Sequence, residues 1–181
     1  VAVCMKAGIP IENIISAIET YNGVKGRCEV IPTGREFTVI CDYAHTPDAV
    51  ENVLRSVREY AENRLICLFG CGGNRDAAKR PKMAEAAAKY ADMLVVTSDN
   101  PRDENPHEII KEILTGLENS DVPYDVVTDR REAIYHALKI AEKGDIIVLA
   151  GKGHEDYQIL EGNRHIHFDE REVVADGLKM L

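Results

Sequence analysis

Five short, largely apolar runs, each followed by a stretch with helical periodicity, decide what this chain can fold into. They span residues 37–41, 65–69, 93–97, 124–127 and 145–150, and Val and Ile are prominent in them. Between them, apolar residues recur at helical spacing: Val50, Val53, Leu54 and Val57, then Ile109, Ile110 and Ile113, then Ala133, Ile134, Ala137 and Leu138. A strand that is apolar on both sides needs a layer on each face, and strands joined through helices run parallel. The pattern predicts an α/β fold, a Rossmann-like wound, mostly parallel sheet with helices on both faces and a C-terminal hairpin turning at residues 161–163. Thr46 before Pro47, Asn105 before Pro106, Asp129 with Glu132, and Asp169 with Glu172 read as helix starts.

Residues 1–22 place Ile14, Ile15, Ile18 and Tyr21 at helical spacing, with no strand of their own to cover. They are expected to be a helical remnant of a preceding domain, with 23–36 as linker and 37–181 as the α/β domain. An opening Val1 in place of Met fits a piece of a longer protein. The formal net charge of −9 disfavours nucleic acid, whose binders carry a basic footprint. No apolar run approaches the roughly 20 residues of a membrane span. Five cysteines without a C-x-x-C pair, several of them in apolar runs, suit reduced thiols and a cytoplasmic setting. A zinc site on Cys67 and Cys71 lacks a second ligand pair.

Right-handed crossovers bring the carboxyl ends of all parallel strands to one edge, where open sheets bind ligands. The loops 42–45, 70–76, 99–102, 128–131 and 151–155 meet there and hold most of the unusual residues. Gly70-Cys-Gly-Gly-Asn-Arg75 looks like a phosphate cradle but is neither G-x-G-x-x-G nor a P-loop, and Thr97 stands where a dinucleotide site wants an acid. A standalone NAD enzyme or P-loop ATPase is therefore disfavoured. Arg102, beside the turn residue Pro101, has a planar fork suited to a carboxylate, although from this segment alone a loop with an Arg-Asp surface pair is the better reading. Gly151-Lys-Gly-His-Glu155 is a tight turn whose glycines allow close ligand approach and whose Glu155 is negative. With Arg75 and Arg102 it would make a pocket for a zwitterion. Asp42 could hold a ribose diol. His45 reads first as a capping or core histidine, His165 and His167 as an exposed hairpin face rather than metal ligands, and Lys79, Arg80 and Lys82 as a solvated helix start.

Five ordered motifs resemble the C-terminal domain of the Mur ligase family: Gly26-Arg27, Asp42-Tyr-Ala-His-Thr-Pro-Asp48, Gly70 to Asp76, Asp99-Asn-Pro-Arg102, and Gly151-Lys-Gly-His-Glu-Asp-Tyr157. The resemblance implies an ATP- and magnesium-dependent ligase that joins an amino acid to a UDP-linked peptidoglycan precursor through an acyl phosphate. It makes residues 1–22 the end of the central ATPase domain, which would carry the P-loop and metal ligands. It implies that Arg27, Asp42, Tyr43 and His45 lie on the nucleotide side. Arg75, Asp99, Asn100, Pro101, Arg102, Gly151 and Glu155 would bind the amino acid. The Asp-Asn-Pro-Arg form resembles that of members adding meso-diaminopimelate to UDP-MurNAc-L-Ala-D-Glu; lysine-adding relatives usually lack that arginine. No general base is identified, no metal ligand is expected in this chain, and the fragment alone is expected to be inactive. A folylpolyglutamate-synthase-like amide ligase domain and a non-catalytic ligand-binding module are the alternatives.

Overall fold

The computed structural model describes residues 1–21 and 23–181. Two short helices, α1 (Ala2–Lys6) and α2 (Ile11–Glu19), precede β1 (Glu29–Ile31) and β2 (Thr38–Asp42). There follow α3 (Pro47–Arg58), β3 (Leu65–Phe69), α4 (Lys79–Ala88), β4 (Met93–Val96), α5 (Pro106–Leu114) and β5 (Tyr124–Val126). The chain closes with α6 (Arg130–Ile140), β6 (Ile146–Ala150), the hairpin β7 (Tyr157–Leu160) and β8 (Arg164–His167), and α7 (Glu170–Leu178).

The main sheet has the order β1-β2-β6-β3-β4-β5. All neighbours pair in parallel except β1, which runs antiparallel to β2. The five predicted strands are present. The sixth, β1, lies inside the segment expected to be a linker. Three residues long and with Val30 exposed, it offers none of the continuous apolar signal that marks the others.

Successive strand residues point to opposite faces, and each face has its own helices. Ile40, Cys67, Phe69, Val96 and Val148 pack against Val50 and Leu54 of α3, Met83 of α4 and Ile109 of α5. Val39, Cys41, Ile66, Leu68 and Ile147 pack against Ile134 of α6 and Val173 of α7. The helices α3, α4 and α5 carry the chain outward along the sheet. The return through α6 on the other face then inserts β6 between β2 and β3. Strand order reverses there, and open sheets of this kind bind ligands at that point.

Side-chain oxygens of Thr46, Asn105, Asp129 and Asp169 accept the first free N–H groups of α3, α5, α6 and α7. For α7 the donor is Arg171 rather than the expected Glu172. The supposed solvated start of α4 is corrected at Arg80, which is 1% exposed. It lies beneath loop 99–104, with Glu104 and Glu112 each at 2.8 Å. On α2 only Ile14 is buried; Ile15 and Ile18 are exposed, as is Tyr21 just beyond the helix end.

At the edge opposite the ligand loops, the fully buried Asp145 carboxylate ties the amino ends of β3 and β6 together. It accepts from the N–H of Arg64 at 2.9 Å, the N–H of Glu142 at 2.8 Å and the Arg64 guanidinium at 2.7 Å. Burial pushes its pKa up, but Arg64 and the two backbone donors outweigh that and hold it below the usual carboxylate value. A lowered folded-state pKa means stability that is present above the unfolded pKa and lost as pH falls through the folded one. Asp145→Asn is expected to cost about 2–3 kcal/mol at neutral pH. The difference from wild type should shrink on acidification, as read by urea unfolding at several pH values. A difference constant down to strongly acidic pH would refute this origin.

Candidate functional site

The ends of β2, β6, β3 and β4 surround a cleft of about 490 Å³. Tyr43, His45, Arg75, Asp99, Asn100, Arg102, Gly151 and Glu155 line it, which brings most of the sequence-predicted residues to one place. Lys79 and Tyr157 line it too. Arg27, Asp42 and Pro101 do not. Arg27 is exposed, its guanidinium 4.8 Å from the centroid of the Tyr43 ring. Pro101 is buried and works through its backbone.

The glycine loop after β3 serves a different purpose from a phosphate cradle. A Cβ on Gly73 would lie 1.9 Å from the Pro101 carbonyl oxygen, so only glycine lets loop 99–102 sit this close. The two loops are fastened together. Gly73 N–H donates to the Asn100 carbonyl at 2.9 Å, and Arg102 Nη1 donates to the Gly73 carbonyl at 3.0 Å. Arg80 and the Asn74 N–H both meet the Glu104 carboxylate. Those donors, Asn74 first, hold Glu104 below the usual carboxylate pKa.

Arg102 adopts φ +51°, in the left-handed region that costs an L-residue roughly 1 kcal/mol or more. That backbone turn directs the guanidinium to the cleft. Nη1 is occupied by the carbonyls of Gly73 and Asn100, the latter at 3.3 Å. Nε and Nη2 have no acceptor among the described residues and are available to a carboxylate. Arg75 is exposed and, among the described residues, donates only to its neighbour's carbonyl, Asn74, at 3.0 Å.

The acidic side of the cleft is built differently. Asn100 Oδ1 accepts from Ile159 N–H at 3.0 Å and from Lys152 Nζ at 2.9 Å, which fixes the amide orientation. Its Nδ2 donates to Glu155 at 3.3 Å. Hairpin strand β7 thus supports the loop from outside, and Arg102 N–H returns the bond to the Ile159 carbonyl at 3.1 Å. Asp99 and Glu155 both reach Lys152, at 3.2 and 3.3 Å.

On the other side, Asp42 is already engaged. One oxygen accepts the Cys28 N–H at 2.7 Å and the other the Ala44 N–H at 2.8 Å, so its first task is to shape the loop after β2. His45 Nδ1 lies 2.8 Å from the Tyr43 carbonyl, and the Tyr43 ring packs on both His45 and His154. The result is an aromatic and cationic face beside the cleft. A Cβ on Gly26 would stand 2.1 Å from His154 N, so the two sides of the site touch through backbone alone. His165 and His167 are exposed on the hairpin; the first packs on Tyr157 and the second pairs with Glu172. Among the described residues, no three His, Cys, Asp or Glu side chains converge as metal ligands.

Sequence reasoning missed Lys152, Arg130 and Glu170, all fully buried at or under the site. Lys152 sits between two glycines and resembles any turn lysine. Arg130 and Glu170 open helices, where charged residues are unremarkable. Only their burial sets them apart.

The fold is a wound α/β domain with a two-signed cleft at its switch point. Residues 26–153 match the family model described as Mur ligase, glutamate ligase domain. The chain belongs to that family. It is 51% identical to UDP-N-acetylmuramoyl-L-alanyl-D-glutamate–2,6-diaminopimelate ligase 1 of Clostridium acetobutylicum, with 100% of this chain and 37% of the relative covered. The enzyme named for the same ligation in Syntrophomonas wolfei is 50% identical, over 99% of this chain and 37% of its own length. A solved structure of such a ligase, 36% identical, superposes with a TM-score of 0.80 over 99% of this chain and 36% of that one. The chain thus spans little more than a third of these relatives. The fold recurs at 17% identity and TM-score 0.56 in a Yersinia pestis bifunctional folylpolyglutamate synthase/dihydrofolate synthase, over 73% of this chain and 29% of that one.

Proposed function

We propose that this chain is the amino-acid-presenting domain of an ATP-dependent amide ligase that adds meso-diaminopimelate to UDP-MurNAc-L-Ala-D-Glu in the cytoplasm. The carrying observation is the two-signed cleft. Arg102, with two guanidinium nitrogens uncommitted, and Arg75 offer donors to a carboxylate, while Asp99 and Glu155 face them as acceptors for an ammonium. A diamino diacid carries such a carboxylate and ammonium on its distal carbon. Lysine has an ammonium there but no carboxylate, and would leave Arg102 desolvated without a partner. Pro101 and Gly151 contribute shape: one fixes the loop that carries Arg102, the other leaves room beside Asp99.

ATP, when bound, supplies the activation of the acid substrate's carboxylate. Arg27, Tyr43 and His45 fit the nucleotide's base and ribose as a stacking and cationic face, with Asp42 ordering the backbone behind them. The magnesium ion, the P-loop and the UDP-sugar site are assigned to N-terminal and central domains outside this chain, and α2, with its outward apolar face, to the boundary with the central one. The chain's own part is to hold the diamine with its attacking nitrogen toward the activated carboxylate.

The full-length enzyme, assayed with diaminopimelate and with L-lysine at equal concentration, is expected to favour diaminopimelate by about a thousandfold or more in kcat/KM. Equal turnover of the two would defeat the reading.

A further inference from the structure

Lys152 is the least expected residue of the site. It is 0% exposed although only Gly151 separates it from the carboxyl end of β6. Stability alone would favour an apolar side chain of similar length, because taking an ammonium out of water is costly unless it is fully paired. Of the side chains around the ammonium, Asn100 Oδ1 at 2.9 Å and Glu155 Oε2 at 3.3 Å accept hydrogen bonds from it, while Asp99 Oδ1 at 3.2 Å meets it as an opposite charge without a hydrogen bond of its own. The ammonium also lies over the Tyr157 ring, 5.8 Å from its centroid.

These partners come from two loops whose strands, β4 and β6, are not neighbours; β3 runs between them. Lys152 therefore spans the end of β3 and joins both halves of the acidic wall. Its charge also sets a balance. Two carboxylates and one ammonium leave the cluster one positive charge short; Arg130 beneath, which also acts on Asp99, is itself matched by Glu170 and does not change that count.

We propose that Lys152 is a positioning residue for the amino-acid subsite: it fixes Asp99, Asn100 and Glu155 as a unit of net charge −1 that accepts one ligand ammonium. This rests on reading the cleft as the amino-acid site. Lys152 has no exposed surface and acts only through the three side chains it holds. Without it, the two carboxylates now held within 3.3 Å of one ammonium would repel each other, and Asn100 would lose one of the two donors that fix its amide.

The test is a double-mutant cycle in the full-length ligase. Lys152→Met is expected to raise KM for diaminopimelate by about tenfold to a hundredfold, with KM for ATP within about twofold of wild type. In a Glu155→Gln background the same substitution should raise KM much less, because one of the charges it balances is gone. Equal, additive penalties in both backgrounds would mean a merely structural lysine and overturn the proposal. Lys152→Gln separates charge from hydrogen bonding: it keeps N–H donors, and its failure to restore KM is expected. Full recovery by Gln would also overturn the proposal. If neither variant folds, Asp99→Asn supplies the same reading, since it takes the cluster to net zero and should raise KM for the diamine about tenfold. An unchanged KM in that variant would overturn the charge balance. Should wild-type enzyme take lysine and diaminopimelate alike, the reading of the cleft fails instead, a result distinct from any in the cycle.

Discussion

Arg102→Ala in the full-length ligase is expected to lower kcat/KM for diaminopimelate by about a thousandfold and to leave ATP binding intact. The size follows from the geometry. Arg102 offers Nε and Nη2 together, the two parallel donors of a bidentate carboxylate pair, and such charge-assisted bonds contribute roughly 1.5–3 kcal/mol each. Arg102→Lys should recover little, because a single ammonium replaces the fork and cannot also hold the Gly73 carbonyl. Nucleotide affinity should not change, since Arg27, Tyr43 and His45 are built on different loops.

Arg102→Gly sharpens the test. The residue stands at φ +51°, where alanine remains strained and glycine does not. The Gly variant is expected to melt at or above the Ala variant while being equally inactive. Stability and turnover would then move independently, as they must if the strained arginine is kept for the ligand. Retained turnover in either variant, or loss of ATP binding in calorimetry, would remove Arg102 from the amino-acid site.

What sequence reasoning could reach follows from where each signal resides. Most of the parallel strands were legible because burial on both faces forces runs of Val, Ile and Leu, as at β3 and β6; the edge strand β5, with Tyr124 and Val126 exposed, was legible only from its place in the alternation. Helix starts were legible because the caps are local chemistry; Thr46 and Asn105 needed only their own next turn. The common edge for Arg75, Arg102 and Glu155 followed from handedness and needed no coordinates. Strand β1 escaped because its three residues carry no apolar run of their own: Val30 is exposed, and only pairing with β2, the next strand along the chain, marks it. The buried cations escaped for a similar reason. Lys152, Arg80 and Arg130 have ordinary neighbours along the chain, and only tertiary contacts remove their water. The close packing of the glycine loop was not legible either: Gly73 makes room for the Pro101 carbonyl, which only the fold brings there.

Arg130 and Glu170 bear the largest expected effect on stability. Both side chains are 0% exposed and lie 2.8 Å apart beneath the cleft. Burial works against the guanidinium charge, yet Glu170 and Asp99 more than compensate, so its pKa rises. Arg130 also donates to the Ala150 carbonyl at 2.9 Å and the Ser98 carbonyl at 3.4 Å, the backbone just before each ligand loop. Glu170 turns its other oxygen to the Cys41 thiol at 3.1 Å. Arg130→Met leaves a buried carboxylate unpaired and is expected to cost about 3–5 kcal/mol. For a chain of this size that lowers Tm by about 10–15 °C in a thermal melt. The double variant Arg130→Met, Glu170→Leu removes both charges, and apolar replacements of a buried pair can be close to neutral. It should therefore recover much of the lost Tm, with the Ala150 and Ser98 carbonyls still short of a donor. Recovered stability should not restore the ligand loops, because nothing then pins residues 98 and 150 from below. A double variant that melts no higher than Arg130→Met would show that the pair is needed for more than mutual neutralisation. One that regains both Tm and full diaminopimelate turnover would show that the loops stand without it.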